Sequence, residues 1–185
     1  MEAARFPMLS LKPKSVTTKT KFKDVLLPLI VAHFDEEASK YTAECSELDD
    51  LRLSACNAPL DYNGCATLKK YYCQLCFLLR RFPFLVGHQD LDLKFSWKDA
   101  YSGKTVCLND IEFEKAVILY NTAAIHSFLG SVETRNSAEG MKVSCTHFQN
   151  AAWAFQTVRD EFSSDYFSDW TFDILSFLQQ LMLVS

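Results

Sequence analysis

The residues that could do chemistry in this chain are its thiols, imidazoles and carboxylates, and their spacing decides which chemistry is open. Cys73-Gln-Leu-Cys76 has the spacing at which two thiolates chelate one cation or share a disulfide. A zinc site needs four ligands, however, and no second pair follows; the nearest imidazole, His88, falls in a loop. The pair also sits inside an apolar helical run between Tyr72 and Phe77, so small buried packing residues are the expectation. Cys145-Thr-His147 places a thiol near an imidazole, but residues two apart on a helix point in different directions. A phosphate-handling cysteine would need a Gly-rich turn and a following Arg, and neither is present.

His33 and His126 lie beside apolar stripes and read as hydrogen-bonded boundary residues. Asp35-Glu36-Glu37 and Asp49-Asp50 read as solvated faces and helix N-terminal charge. No paired carboxylates on facing elements and no Gly-rich phosphate cradle can be placed. No catalytic residue, metal or cofactor is therefore expected, and a thiol-dependent enzyme using Cys73, Cys76 or Cys145 is the rival.

The 185 residues suit one domain, with 49% apolar, 23% charged, only 5 Gly and 5 Pro, which excludes disordered and linker-like classes. A net charge of -4 argues against a sequence-independent grip on nucleic acid or anionic lipid. Seven cysteines, an odd number, point to a reduced, intracellular chain. The first residues carry no signal-peptide run, and the longest apolar stretch, Leu26 to Ala32, is far short of a bilayer span; a soluble protein is expected.

Apolar periodicity predicts six helical segments. They run from about Lys21 to Phe34 with Pro28 bending the helix, from Glu36 to Cys56, from Asn63 to Phe82, from Asp110 to Val132, from Ser137 onward, and from Ser168 to Ser185. Alternation over Leu91 to Trp97, turn residues Tyr101 to Lys104 and the run Thr105 to Leu108 predict a hairpin, with Met8 to Leu11 as its third strand. The Asp110 helix is apolar on two faces and must be covered on both sides. Its partner carries the stripe Met141, Cys145, Phe148, Ala152, Phe155, assigned to the core. The opposite face, Glu139, Lys142, Thr146, Gln149 and Asn150, is a mixed polar ridge that reads as an ordinary solvated helix face or as a surface suited to contacting another protein, and from the residues alone the former is favoured. In the last segment Phe172, Leu175, Phe177 and Leu181 form an apolar face left uncovered, which predicts self-association.

Three runs then carry a resemblance: Trp97-Lys-Asp-Ala-Tyr-Ser-Gly-Lys; Phe113-Glu-Lys-Ala-Val-Ile-Leu-Tyr-Asn-Thr-Ala-Ala-Ile-His-Ser; and Ala138-Glu-Gly-Met-Lys-Val-Ser-Cys-Thr-His-Phe-Gln-Asn-Ala-Ala-Trp-Ala-Phe. With Leu60-Asp-Tyr-Asn-Gly64 and the Met8-Leu-Ser-Leu-Lys entry, the chain resembles the Bro-one domain family along essentially its whole length. The Glu139 to Gln149 stretch is most similar to the branch that carries a tyrosine phosphatase domain elsewhere. The resemblance implies a mainly α fold, a tetratricopeptide-like helical solenoid with a small three-stranded antiparallel sheet near the N-terminus. It also implies that residues 1–185 are the N-terminal half of such a domain.

The implied function is a non-catalytic scaffold of endosomal sorting. It would dock the C-terminal helix of an ESCRT-III subunit during multivesicular-body formation, cytoplasmic and recruited to endosomes through partners, without nucleic acid or a transmembrane segment. By the same resemblance Glu139, Lys142 and Thr146 border the partner groove. The residue before Glu139-Gly140, acidic in the family, is Ala138 here. A Rho-binding scaffold of the rhophilin kind is the alternative, and it would need a GTPase-binding segment that the sequence does not display.

Overall fold

The computed structural model describes residues 8–17, 19–82, 85, 92–99, 101–162, 166–168 and 170–185. Strand β1 (Ser15–Val16) leads into α1 (Phe22–Phe34), a 3-10 turn (Ala38–Tyr41), α2 (Thr42–Cys56) and α3 (Tyr62–Arg81). Strands β2 (Phe95–Lys98) and β3 (Thr105–Leu108) precede α4 (Ile111–Val132), α5 (Ala138–Glu161) and α6 (Phe172–Leu183). The predicted His88 loop position and Leu91 lie outside the described residues.

The sheet is antiparallel in the order β1-β2-β3. The hairpin turn forms because the Asp99 carboxylate accepts from the Ser102 N–H at 2.9 Å and the Tyr101 N–H at 3.3 Å, while Gly103 takes a left-handed φ of 69°. The third strand is Ser15–Val16, opposite Lys98 and Trp97, rather than Met8 to Leu11. The earlier segment instead runs along α4, where the Leu11 N–H donates to Ser127 Oγ at 2.9 Å and Lys14 exchanges two backbone bonds with the Asn121 amide. The expected continuous helix from Glu36 is likewise broken: Asp35 sits at φ 53°, ending α1, and only from Thr42 does α-helix resume.

Helix starts follow side-chain chemistry. Asp61 and Ser137 cap α3 and α5 by accepting from Gly64 N and Gly140 N. Both glycines are forced by close approach, since a Cβ would lie 1.9 Å from the Pro59 carbonyl oxygen at one and 1.9 Å from that of Thr134 at the other. Helix α1 has no cap of its own; Asp49 of α2 reaches across and accepts from the Phe22 N–H at 2.6 Å.

Helix α4 is the central layer, with α3 on one side and α5 on the other, and α6 packs on α5. Ile111, Phe113, Val117, Ile118, Tyr120 and Ile125 are all buried, which is the two-faced pattern its sequence shows. Trp170, fully buried just ahead of α6, stacks on Tyr120 with centroids 5.4 Å apart. Side chains of this size each stabilise the fold by roughly 1.5–3 kcal/mol when removed from water.

Two buried ion pairs, Arg52–Glu114 and Lys14–Asp99, sit inside this core. Glu114, wholly buried, accepts from Arg52 Nε at 2.9 Å, the Tyr71 hydroxyl at 2.9 Å and Trp97 Nε1 at 2.5 Å, tying α2, α3 and β2 to α4. Lys14 Nζ lies 3.0 Å from the Asp99 carboxylate and 4.0 Å from the Phe167 ring centroid, fastening the N-terminal segment under the hairpin turn.

Candidate docking site

Helix α5 carries a buried stripe on one side and an exposed polar face on the other. Its buried stripe is Gly140, Ser144, His147, Phe148, Ala151, Ala152, Phe155 and Val158. Small residues let it approach α4 closely, and Ser144 Oγ donates to the Gly130 carbonyl at 2.8 Å. Met141 and Cys145, expected in this stripe, are exposed instead. The reason is geometric: the positions that meet α4 at this end are Gly140 and Ser144, whose small side chains a hydrophobicity pattern does not score.

Facing away from α4, Glu139, Lys142, Thr146, Gln149 and Asn150 are all exposed, and the structure brings Glu139, Lys142 and Thr146 onto one face at intervals of three and four residues. The Thr146 hydroxyl donates to the Lys142 carbonyl at 2.8 Å, which fixes its rotamer. One and two turns on, Asn150 and Trp153 continue this face into a groove of about 550 Å³. Its floor is Leu119, Thr122 and His126 of α4; its other wall is Lys69, Tyr72 and Cys73 of α3. Trp153 is 57% exposed, an aromatic side chain standing in water at the groove edge.

Beside this groove the three helices are joined by a polar chain. His126 Nδ1 lies 2.9 Å from His147 Nδ1, and His147 Nε2 lies 3.0 Å from the Tyr62 hydroxyl. Burial, with a smaller push from the His147 ring, lowers His126 from 6.5 to about 4. Burial also lowers His147, against an opposing pull from Glu133. The His126 ring is thus held neutral near pH 7.

The thiols divide between buried, half-buried and exposed positions. Burial raises Cys56 to about 12 and Cys65 to about 11, and raises Cys45. Cys145 is exposed while His147 is buried, so the two are not brought together. Cys73 is exposed and Cys76 half-buried, which corrects the expectation that both are buried packing residues. Their helix simply turns its Leu75 and Leu78 to the core and this pair away from it. Among the described residues no group of three or more potential metal ligands is gathered, and no helix is long and apolar enough to cross a membrane.

Sequence reasoning passed over the Arg52–Glu114 and Lys14–Asp99 pairs and the histidine chain. A signal did exist for the first: Glu114 interrupts the apolar run Phe113 to Ala124, and Arg52 falls on the apolar stripe of α2. On α6 the exposed apolar side chains are Phe172, Ile174, Phe177, Leu183 and Val184, whereas Leu175, expected among them, is buried, as is Met182. Helix α6 turns Leu175 and Met182 inward, and its contact with α5 also includes the bonds from Arg159 Nη1 to Ser176 Oγ and Gln179 Oε1.

Among the described residues, six α-helices stacked in sequence order beside a three-stranded antiparallel sheet define a mainly helical scaffold. The chain belongs to the BRO1-like domain family, whose profile matches residues 8–185. It is 40% identical over 184 residues to human tyrosine-protein phosphatase non-receptor type 23, covering 99% of this chain and 11% of that protein. With human rhophilin-1 it shares 35% identity over 182 residues, 98% of this chain and 27% of that one. The BRO1 domain of ALIX, solved in complex with CHMP4C, matches with a TM-score of 0.83 at 27% identity over 96% of this chain and 54% of the ALIX chain. The chain therefore spans a small part of the curated relatives it matches, and about half of the solved ALIX chain.

Proposed function

We propose that this chain is a non-catalytic docking scaffold of endosomal sorting, which binds the C-terminal helix of an ESCRT-III subunit and is brought to endosomal membranes through such partners. The observation that carries this reading is the match to an ALIX domain solved with CHMP4C, together with a solvent-facing ridge on α5. Glu139, Lys142 and Thr146 are the proposed contact residues, reading a partner helix through polar contacts, with Trp153 and the adjoining groove supplying an apolar seat. The exposed Cys145 and the buried His147 on different faces of α5 favour a scaffold over a thiol-dependent enzyme built on that pair.

Calorimetric titration with a peptide of the CHMP4C C-terminal helix tests the reading. Saturable binding that Thr146→Lys weakens at least tenfold, about 1.4 kcal/mol, is the expected result. Unchanged affinity in that variant removes the site, and no binding removes the partner.

A further inference from the structure

A second pocket lies away from α5, enclosed by α1, α2, the 3-10 turn and α3, with a volume of about 260 Å³. Leu26, Ile30, Leu48 and Leu78 line it, and Phe77 stands at its edge 59% exposed. It is smaller than the roughly 300–1,000 Å³ usual for small-molecule sites, and holds one bulky side chain rather than a cofactor.

Its electrostatic surround is mostly negative. Glu36 and Glu44 are part of the lining, and exposed Asp35, Glu37 and Glu47 lie next to them in sequence. The C-terminal ends of α1 and α3 also meet here, where the Phe34 and Phe82 rings pack edge to face at 5.6 Å, adding the negative ends of two helix dipoles. The lining cation, Arg81, is laid over the Phe34 ring at 5.1 Å. Lys40 and Arg80 adjoin lining residues in sequence, and Lys23 and Asp49 both act on the lining Cys45, so six acids (Asp35, Glu36, Glu37, Glu44, Glu47, Asp49) stand against four bases (Lys23, Lys40, Arg80, Arg81).

We propose that this pocket is a second docking site whose occupant is a basic amphipathic helix of another protein, inserting one Leu, Met or Phe with Lys or Arg a turn to either side. The walls are helices and a 3-10 turn with no strand edge among them, so an extended peptide finds no ladder to join, whereas a helix arrives with its own backbone satisfied. Cations at three- and four-residue offsets from the anchor then face Glu36 and Glu44. None of the lining residues belongs to α4 or α5, so the pocket is independent of the ridge carrying Glu139, Lys142 and Thr146.

The test uses fluorescence anisotropy of the whole chain with a labelled Ala–Lys helical peptide carrying a single central Phe. Saturable binding is expected, falling at least tenfold when the Phe is replaced by Ala or the lysines by Glu. Phe77→Ser and Glu44→Lys, both at exposed positions and checked for folding by circular dichroism, should each produce a similar fall. Thr146→Lys should change nothing, which separates this site from the α5 ridge. No saturable binding up to about 1 mM overturns the proposal. So does binding that ignores the anchor or the peptide's charge, or that both protein variants leave intact.

Discussion

The guanidinium of Arg52 donates from Nε to the Glu114 carboxylate at 2.9 Å, and neither side chain is more than a few percent exposed. Burial is the largest single influence and works against the Arg52 charge, but the Glu114 charge and hydrogen bond, with smaller contributions from Tyr71 and Cys56, together outweigh it and raise the guanidinium pKa. Removing one partner of such a pair typically costs about 3–5 kcal/mol, because the other charge stays buried. Urea denaturation of Arg52→Met and of Glu114→Gln should show losses of that order, while Arg52→Met with Glu114→Leu recovers part of the loss. Two single variants as stable as the parent would show that the pair is not what joins α2 to α4.

The same logic of close approach applies to the two capped glycines. Gly64→Ala and Gly140→Ala push a methyl group onto a backbone carbonyl 1.9 Å away, so each should destabilise by about 1–3 kcal/mol even though alanine favours helix. A thermal melt showing either variant stabilised would contradict the packing described around Pro59 or Thr134.

Stability should fall with pH through a defined window. The unfolded chain takes up a proton at His126 near pH 6.5, the native chain only near pH 4. Between those values the unfolded state binds more protons, so stability declines as the pH is lowered through them. Asp99 contributes elsewhere: burial opposes its charge, but the Ser102 hydrogen bonds and Lys14 hold it well below its ordinary 3.8, so its stabilisation is lost only at more acid pH. The urea midpoint at pH 7 should therefore exceed that at pH 5, and His126→Gln should flatten the difference. An equally steep dependence in the variant would refute this assignment.

Thiol accessibility gives a further check. Iodoacetamide mapped by mass spectrometry at neutral pH should modify exposed Cys73, Cys107 and Cys145 first. Cys56 and Cys65, raised to about 12 and 11, should lag far behind. Fast modification of Cys56 or Cys65 near pH 7 would contradict their burial, and a rate at Cys73, Cys76 or Cys145 far above that of a free thiol below pH 7 would reopen the reading as a thiol enzyme.

Much of the fold was legible because helix signals in this chain are local. Asp61, Asp110 and Ser137 are caps that a sequence displays, and α3, α4 and α5 begin within a residue or so of the expected positions. Strand β1 was not legible, since two residues carry no alternation and its register is set by Trp97 and Lys98 far along the chain. The face of α5 was half legible: its polar ridge showed, but the buried side relies on Gly140, Ser144 and His147, which act through size and hydrogen bonding rather than hydrophobicity. Buried Lys14, Arg52 and Glu114 were missed for the same reason, since each charge is tolerated only by a partner distant in sequence.

The role of the α5 ridge is tested most directly by chemical-shift mapping of the isotopically labelled chain during titration with the ESCRT-III C-terminal helix peptide. The account predicts perturbations concentrated at Glu139, Lys142, Thr146, Asn150 and the Trp153 indole, reduced in Thr146→Lys. Shifts confined to the exposed apolar side chains of α6, or none at saturating peptide, would contradict it.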